Sequence, residues 1–164
     1  MRLKNSQKGY GLVSILLHWF SAIVIFTLFG LGVWMVDLDY YSSWYHDAPF
    51  IHKSIGVLLI AAMVFRFMWN FFNPRPEGLD KPVLNKAAHA IHLTLYILVF
   101  TLGVSGYLIS TAESAPISVF GWFELPALIE PFSEQADRAG LIHEWLAYGL
   151  MGLVFLHFMA SMKH

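Results

Sequence analysis

Two histidines, His143 and His157, stand fourteen positions apart inside one apolar run, Leu141 to Ala160. At about 100° per residue, fourteen steps fall only about 40° short of four full turns, so on a helix both rings leave the same face, roughly 21 Å apart along the axis. That separation is most of the way across a hydrocarbon core of roughly 30 Å. Imidazole binds metals and carries protons near neutral pH, so a single helix offers two such groups at two depths. His52 and Arg66 repeat the fourteen-residue spacing in a second apolar run, and His18 lies inside a third. What these groups can do depends on whether neighbouring helices supply a partner at each depth.

Composition states where those helices are. The chain of 164 residues is 57% hydrophobic and 13% charged, whereas a soluble domain is typically about 25% charged. It reads as an integral membrane protein. A net charge of −1 gives no reason to expect nucleic acid. The absence of cysteine excludes disulfides, iron–sulfur ligation and covalent attachment of a c-type haem.

Hydropathy predicts an all-α transmembrane four-helix bundle with helices over about 12–36, 51–72, 88–110 and 141–162. The first span follows Arg2, Lys4 and Lys8. It is too long for a signal-peptide core and ends in no small-x-small cleavage site, so it reads as a retained helix. Residues 37–50 form an acidic, tyrosine-rich loop, and 73–87 a proline-bearing turn. Residues 111–139 form a long loop whose aromatic centre, 119–126, suits the membrane interface. No repeat or second domain is visible, so 1–164 reads as a single domain.

Basic residues orient the spans. Arg2, Lys4, Lys8, Arg75, Lys81, Lys86 and Lys163 fall on one side, and Lys53 and Arg138 on the other, which predicts both termini in the cytoplasm. His18 and His157 then lie toward the cytoplasm, His52 and His143 toward the outside. Each histidine of the last helix thereby gains a partner at its own depth. Facing histidines across a bundle can hold iron in a haem plane, and intramembrane ionisable groups are costly enough to be functional. Two b-type haems follow, ligated by His18/His157 and His52/His143. A zinc or other metal path is the competing reading, but such sites usually add carboxylates or further histidines at one level, and no acid lies deep in any span. His46 and His164 read as interfacial.

The motifs Leu-Leu-His-Trp (16–19), His-Lys-Ser-Ile-Gly (52–56) with Arg66, Ala-His-Ala-Ile-His-Leu (88–93), Phe-Gly-Trp (120–122) with Pro126, and His-Glu-Trp (143–145) with His157 together resemble the prokaryotic cytochrome b561 family over nearly the whole chain. The resemblance implies a dihaem protein of the bacterial inner membrane that exchanges electrons with quinone, with His18, His52, His143 and His157 matching the axial ligands. Some members of the family resemble superoxide oxidases, which pass an electron from superoxide outside to ubiquinone. Steering of that anion would be helped by a basic outer surface. Here the outer loops carry eight acids (Asp37, Asp39, Asp47, Glu113, Glu124, Glu130, Glu134 and Asp137) against Lys53 and Arg138, although those two bases lie close to the outer ligands.

Supporting residues read in the same frame. Arg66 reaches the depth of the inner haem, where it either pairs with a propionate or snorkels as an anchor. Gly56, one turn below His52, gives room for a porphyrin or for helix packing. His89 and His92 share a face at the cytoplasmic end of the third span; they suit contact with propionate or quinone, with axial ligation as the alternative. Three function classes result. The first is a quinone-linked oxidoreductase fed by superoxide or a small periplasmic protein. The second is a haem-bearing anchor or quinol-oxidising subunit serving a periplasmic partner, and the third a non-redox transporter. Short loops leave no room for a second cofactor domain, so electron transfer is the expected chemistry.

Overall fold

A computed structural model describes residues 2–77 and 82–162. Lys81, Lys163 and His164, which entered the readings above, lie outside the described residues. Four long helices dominate: α1 (Leu12–Met35), α2 (Asp47–Phe72), α3 (Pro82–Ser110) and α4 (Gln135–Met162). All four are long and apolar enough to cross a membrane, as hydropathy predicts. Backbone packing divides the chain into two compact units, Met1–Lys86 and Ala87–His164.

Three helices begin earlier than hydropathy predicts. α2 opens at Asp47 instead of about 51, α3 at Pro82 instead of about 88, and α4 at Gln135 instead of about 141. An apolar count sees only the hydrocarbon-spanning part of a helix and misses its polar first turns. Proline suits the first turn because its missing N–H has no partner there anyway, which explains Pro82 and Pro49. Asp47 and Asp137 lie in the first turns of α2 and α4, where a negative charge favours the helix dipole. His143 is therefore about two turns inside α4, and His52 more than one turn inside α2.

Within the first unit, α1 packs along α2 as an antiparallel pair. The buried contacts are small or polar as often as aliphatic: Ser21 and Ser54 are as enclosed as Leu28, Leu59 and Met63. Large apolar side chains such as Trp19, Phe20, Ile23 and Phe26 are exposed. This is the arrangement expected when lipid is the solvent and small residues let backbones approach. The N-terminal segment is tied down as well. Asn5 is buried, and its Oδ1 accepts hydrogen bonds from Gly11 N at 2.9 Å and Ser14 Oγ at 2.7 Å. Ser14 Oγ accepts in turn from Trp69 Nε1 at 3.1 Å.

In the second unit, the connection from α3 to α4 contains a hairpin, β1 (Ile117–Val119) with β2 (Phe123–Leu125), in antiparallel register. Its turn needs positive φ at Phe120 and Gly121, and Trp122 N closes it onto Val119 O at 2.9 Å. Ile117 and Val119 are buried while Trp122 is largely exposed. Tyr107 anchors the return segment: its hydroxyl donates to Pro126 O at 2.9 Å and accepts from Leu128 N at 2.6 Å. Gln135 joins the start of α4 to the end of α3, donating from Nε2 to Leu108 O at 2.9 Å.

Candidate functional site

The histidines of interest divide evenly. His18 and His52 belong to the first unit, His143 and His157 to the second. Each expected ligand pair therefore draws one histidine from each unit.

In the first unit, antiparallel packing sets Gly32 of α1 against His52 of α2. A Cβ at Gly32 would lie 3.2 Å from His52 Cε1 and 3.7 Å from Nδ1. Any other side chain there would make the imidazole give way by a few tenths of an ångström. Gly32 escaped the sequence reading, because one small residue in an apolar run carries no mark of the ring it faces. At the other end of the hairpin, Arg66 Nη2 lies 3.0 Å from His18 Nδ1. Guanidinium has only donors, so Nδ1 accepts, and a neutral His18 ring bonded this way carries its proton on Nε2. Lys53 is exposed beside His52. Gly56 faces open space: a Cβ there would meet nothing within 4 Å among the described residues.

The second unit repeats the glycine arrangement. A Cβ at Gly106 of α3 would lie 3.4 Å from His143 Cε1 and 3.6 Å from Nδ1. His143 Nδ1 also lies 3.1 Å from Leu102 O and 2.9 Å from Ser105 Oγ, and Ser105 Oγ donates to the same carbonyl at 3.0 Å. A carbonyl can only accept, so Nδ1 holds the proton and shares it between the two oxygens. The lone pair is then on Nε2. A histidine that binds metal usually donates its other N–H to a carbonyl or carboxylate in this way. Toward the other end, the rings of His92 and His157 meet edge to face, centroids 5.2 Å apart, whereas His89 is exposed.

These residues can be tested against haem. His143 fits: its Nδ1–H is held by Leu102 O and Ser105 Oγ, which puts the lone pair on Nε2, and its ring is seated beside Gly106. His52 is seated beside Gly32 in the same way. His18 presents Nδ1 to Arg66, so ligation through Nε2 would require the other tautomer, with the proton on Nδ1 in place of that contact. Among the described residues no three His, Asp or Glu side chains converge as a metal-ion centre would require.

Comparison with known proteins agrees with this chemistry. Residues 9–164 match the family described as prokaryotic cytochrome b561. Over 166 aligned residues the chain is 48% identical to cytochrome b561 homolog 2 of Escherichia coli (strain K12), an alignment covering 100% of this chain and 88% of that relative. Four membrane-length helices and a match over nearly the whole chain lead to one conclusion: the chain belongs to the prokaryotic cytochrome b561 family, multi-pass bacterial membrane proteins that bind haem b and transfer electrons.

Proposed function

We propose that the protein carries single electrons across the bacterial inner membrane between the periplasmic face and the ubiquinone pool, acting as a quinone-linked oxidoreductase with superoxide as the first candidate donor. In this reading the two units act as one domain with both termini cytoplasmic. The domain holds two low-spin haems, the outer on His52 and His143, the inner on His18 and His157. When bound, the haems supply two one-electron stations at two depths. The protein's own residues hold and tune them. Leu102 O and Ser105 Oγ fix the His143 tautomer, Gly32 and Gly106 seat the outer rings, and Arg66 places a fixed positive charge at the inner level.

The observation that carries the reading is the His143 hydrogen-bond set, which leaves Nε2 as a lone pair. Two superoxide anions would each give up one electron and leave as dioxygen, and the two electrons with two protons would convert ubiquinone to ubiquinol. Electrostatic attraction at the outer side rests on Lys53, which is exposed beside His52, because Arg138 is engaged by Glu134 at 2.8 Å. The test is reconstitution in proteoliposomes. Externally generated superoxide should reduce both haems, and ubiquinone should then reoxidise them. Haems that stay oxidised under superoxide but reduce promptly with ubiquinol would reverse the direction, and failure with both would favour a haem-bearing anchor serving a periplasmic partner protein.

A further inference from the structure

We infer that the cleft between the N-terminal segment and the end of α2 is the quinone-binding site, with Asn5 and Lys4 as donors to the quinone oxygens and Phe65, Trp69 and Phe72 as the aromatic wall. The inference rests on the quinone-linked reading above and names the place where that exchange occurs.

The cleft has a volume of about 510 Å³, within the roughly 300–1,000 Å³ typical of small-molecule sites. Lys4, Asn5, Phe65, Met68, Trp69 and Phe72 line it. Phe65 and Trp69 form a tilted aromatic pair with centroids 6.2 Å apart, a surface on which a flat ring can stack. Phe65, Met68 and Phe72 are exposed, so the wall continues onto the surface of an apolar helix, where an isoprenoid tail can lie in lipid.

The polar end has the complementary character. Asn5 is only 8% exposed. Its Oδ1 is committed to Gly11 N and Ser14 Oγ, while its Nδ2 makes no hydrogen bond among the described residues. The residue is fixed by its Oδ1 contacts, and its amide N–H group is left as a donor on the cleft side. Here it borders a cleft that a ligand can enter. Lys4 adds an exposed ammonium at the same end. A quinone headgroup is a flat ring whose oxygens only accept, which matches two donors beside aromatic faces.

Position supports the same occupant. Trp69 stands one turn from Arg66 on α2, and its indole N–H donates to Ser14, which stands one turn from His18 on α1. The floor of the cleft is therefore one helical turn, about 5–6 Å, from the His18–Arg66 pair. An electron passing through a haem ligated by His18 would have a short final step.

The experiment uses the full-length, haem-loaded protein with ubiquinone-1 as oxidant. Asn5→Asp keeps the Oδ1 contacts and removes the donor; Met68→Trp fills the cleft. Both should retain haem content and spectrum. Asn5→Asp should raise the quinone concentration for half-maximal haem reoxidation about tenfold, and Met68→Trp should abolish saturation. In the unsubstituted protein a photoactivatable azidoquinone should label peptides spanning 2–8 or 65–74, in competition with ubiquinone-1. Labelling elsewhere, variants that titrate like the unsubstituted protein, or a label displaced by phospholipid but not by ubiquinone-1 would overturn the site alone. If ubiquinone fails to reoxidise even the unsubstituted protein, the site and the quinone-linked function fall together.

Discussion

Arg66 and His18, forty-eight residues apart in sequence, meet through a 3.0 Å contact between Nη2 and Nδ1. The pairing places a permanent charge at the proposed inner haem and ties the tautomer of one ligand to the position of a guanidinium. A haem propionate would suit Arg66 better than an imidazole does, since guanidinium pairs with carboxylate bidentately, and in that case His18 could carry its proton on Nδ1 and offer Nε2.

A fixed cation near a haem favours the reduced state, so Arg66→Leu should lower the inner haem's potential. At a separation near 10 Å and an effective dielectric of about 20 the interaction is roughly 1–2 kcal/mol, or about 40–90 mV for one electron. A spectroscopic redox titration should show that shift in one haem and almost none in the other. Equal shifts in both, or none, would return Arg66 to the role of an interfacial anchor.

The glycine seats make a paired prediction. A Cβ at Gly32 would be tight against an imidazole at 3.2 Å and one at Gly106 would just reach contact at 3.4 Å, so a larger branched side chain at either would push the ring away. Gly32→Leu and Gly106→Leu should therefore each cost the same outer haem, or convert it to high spin, while the inner haem keeps its low-spin signal. Pyridine haemochrome assay and electron paramagnetic resonance would read both. Loss of different haems in the two variants would refute the shared site.

Ligand pairing has its own test. Two haems per chain are expected, with His18→Ala and His157→Ala removing one and His52→Ala and His143→Ala the other. His92 is the control, because its ring touches that of His157. If His92→Ala removes a haem while His18→Ala spares both, the inner ligand pair is His92 with His157.

Ser14 joins Asn5 to Trp69 through one hydroxyl and is 7% exposed. Ser14→Ala should remove one of the two hydrogen bonds to Asn5 Oδ1 and leave the Trp69 indole N–H without its acceptor, costing about 1–3 kcal/mol. The expected result is a lower Tm in detergent with haem content unchanged. An unaltered Tm would mean that water or lipid replaces the hydroxyl.

By itself the sequence determined the number of spans and the membrane setting, and it allowed an expected face and depth to be assigned to each candidate ligand. These depend on quantities that add along one dimension: apolar content over about 20 residues, and a rotation of about 100° per residue. It also placed Arg66 at the level of His18, because the same arithmetic applies to any two positions on antiparallel helices. The tertiary structure decided what depends on contacts of a few ångströms. It set the polar opening turns of α2, α3 and α4, which no apolar count detects, and the hairpin at 117–125, whose turn requires positive φ at Phe120 and Gly121. The partners of His143, Leu102 O and Ser105 Oγ, and the imidazoles that Gly32 and Gly106 face were likewise invisible in one dimension. Each depends on the register between two helices, and a shift of one residue turns a side chain by about 100° and exchanges its neighbours.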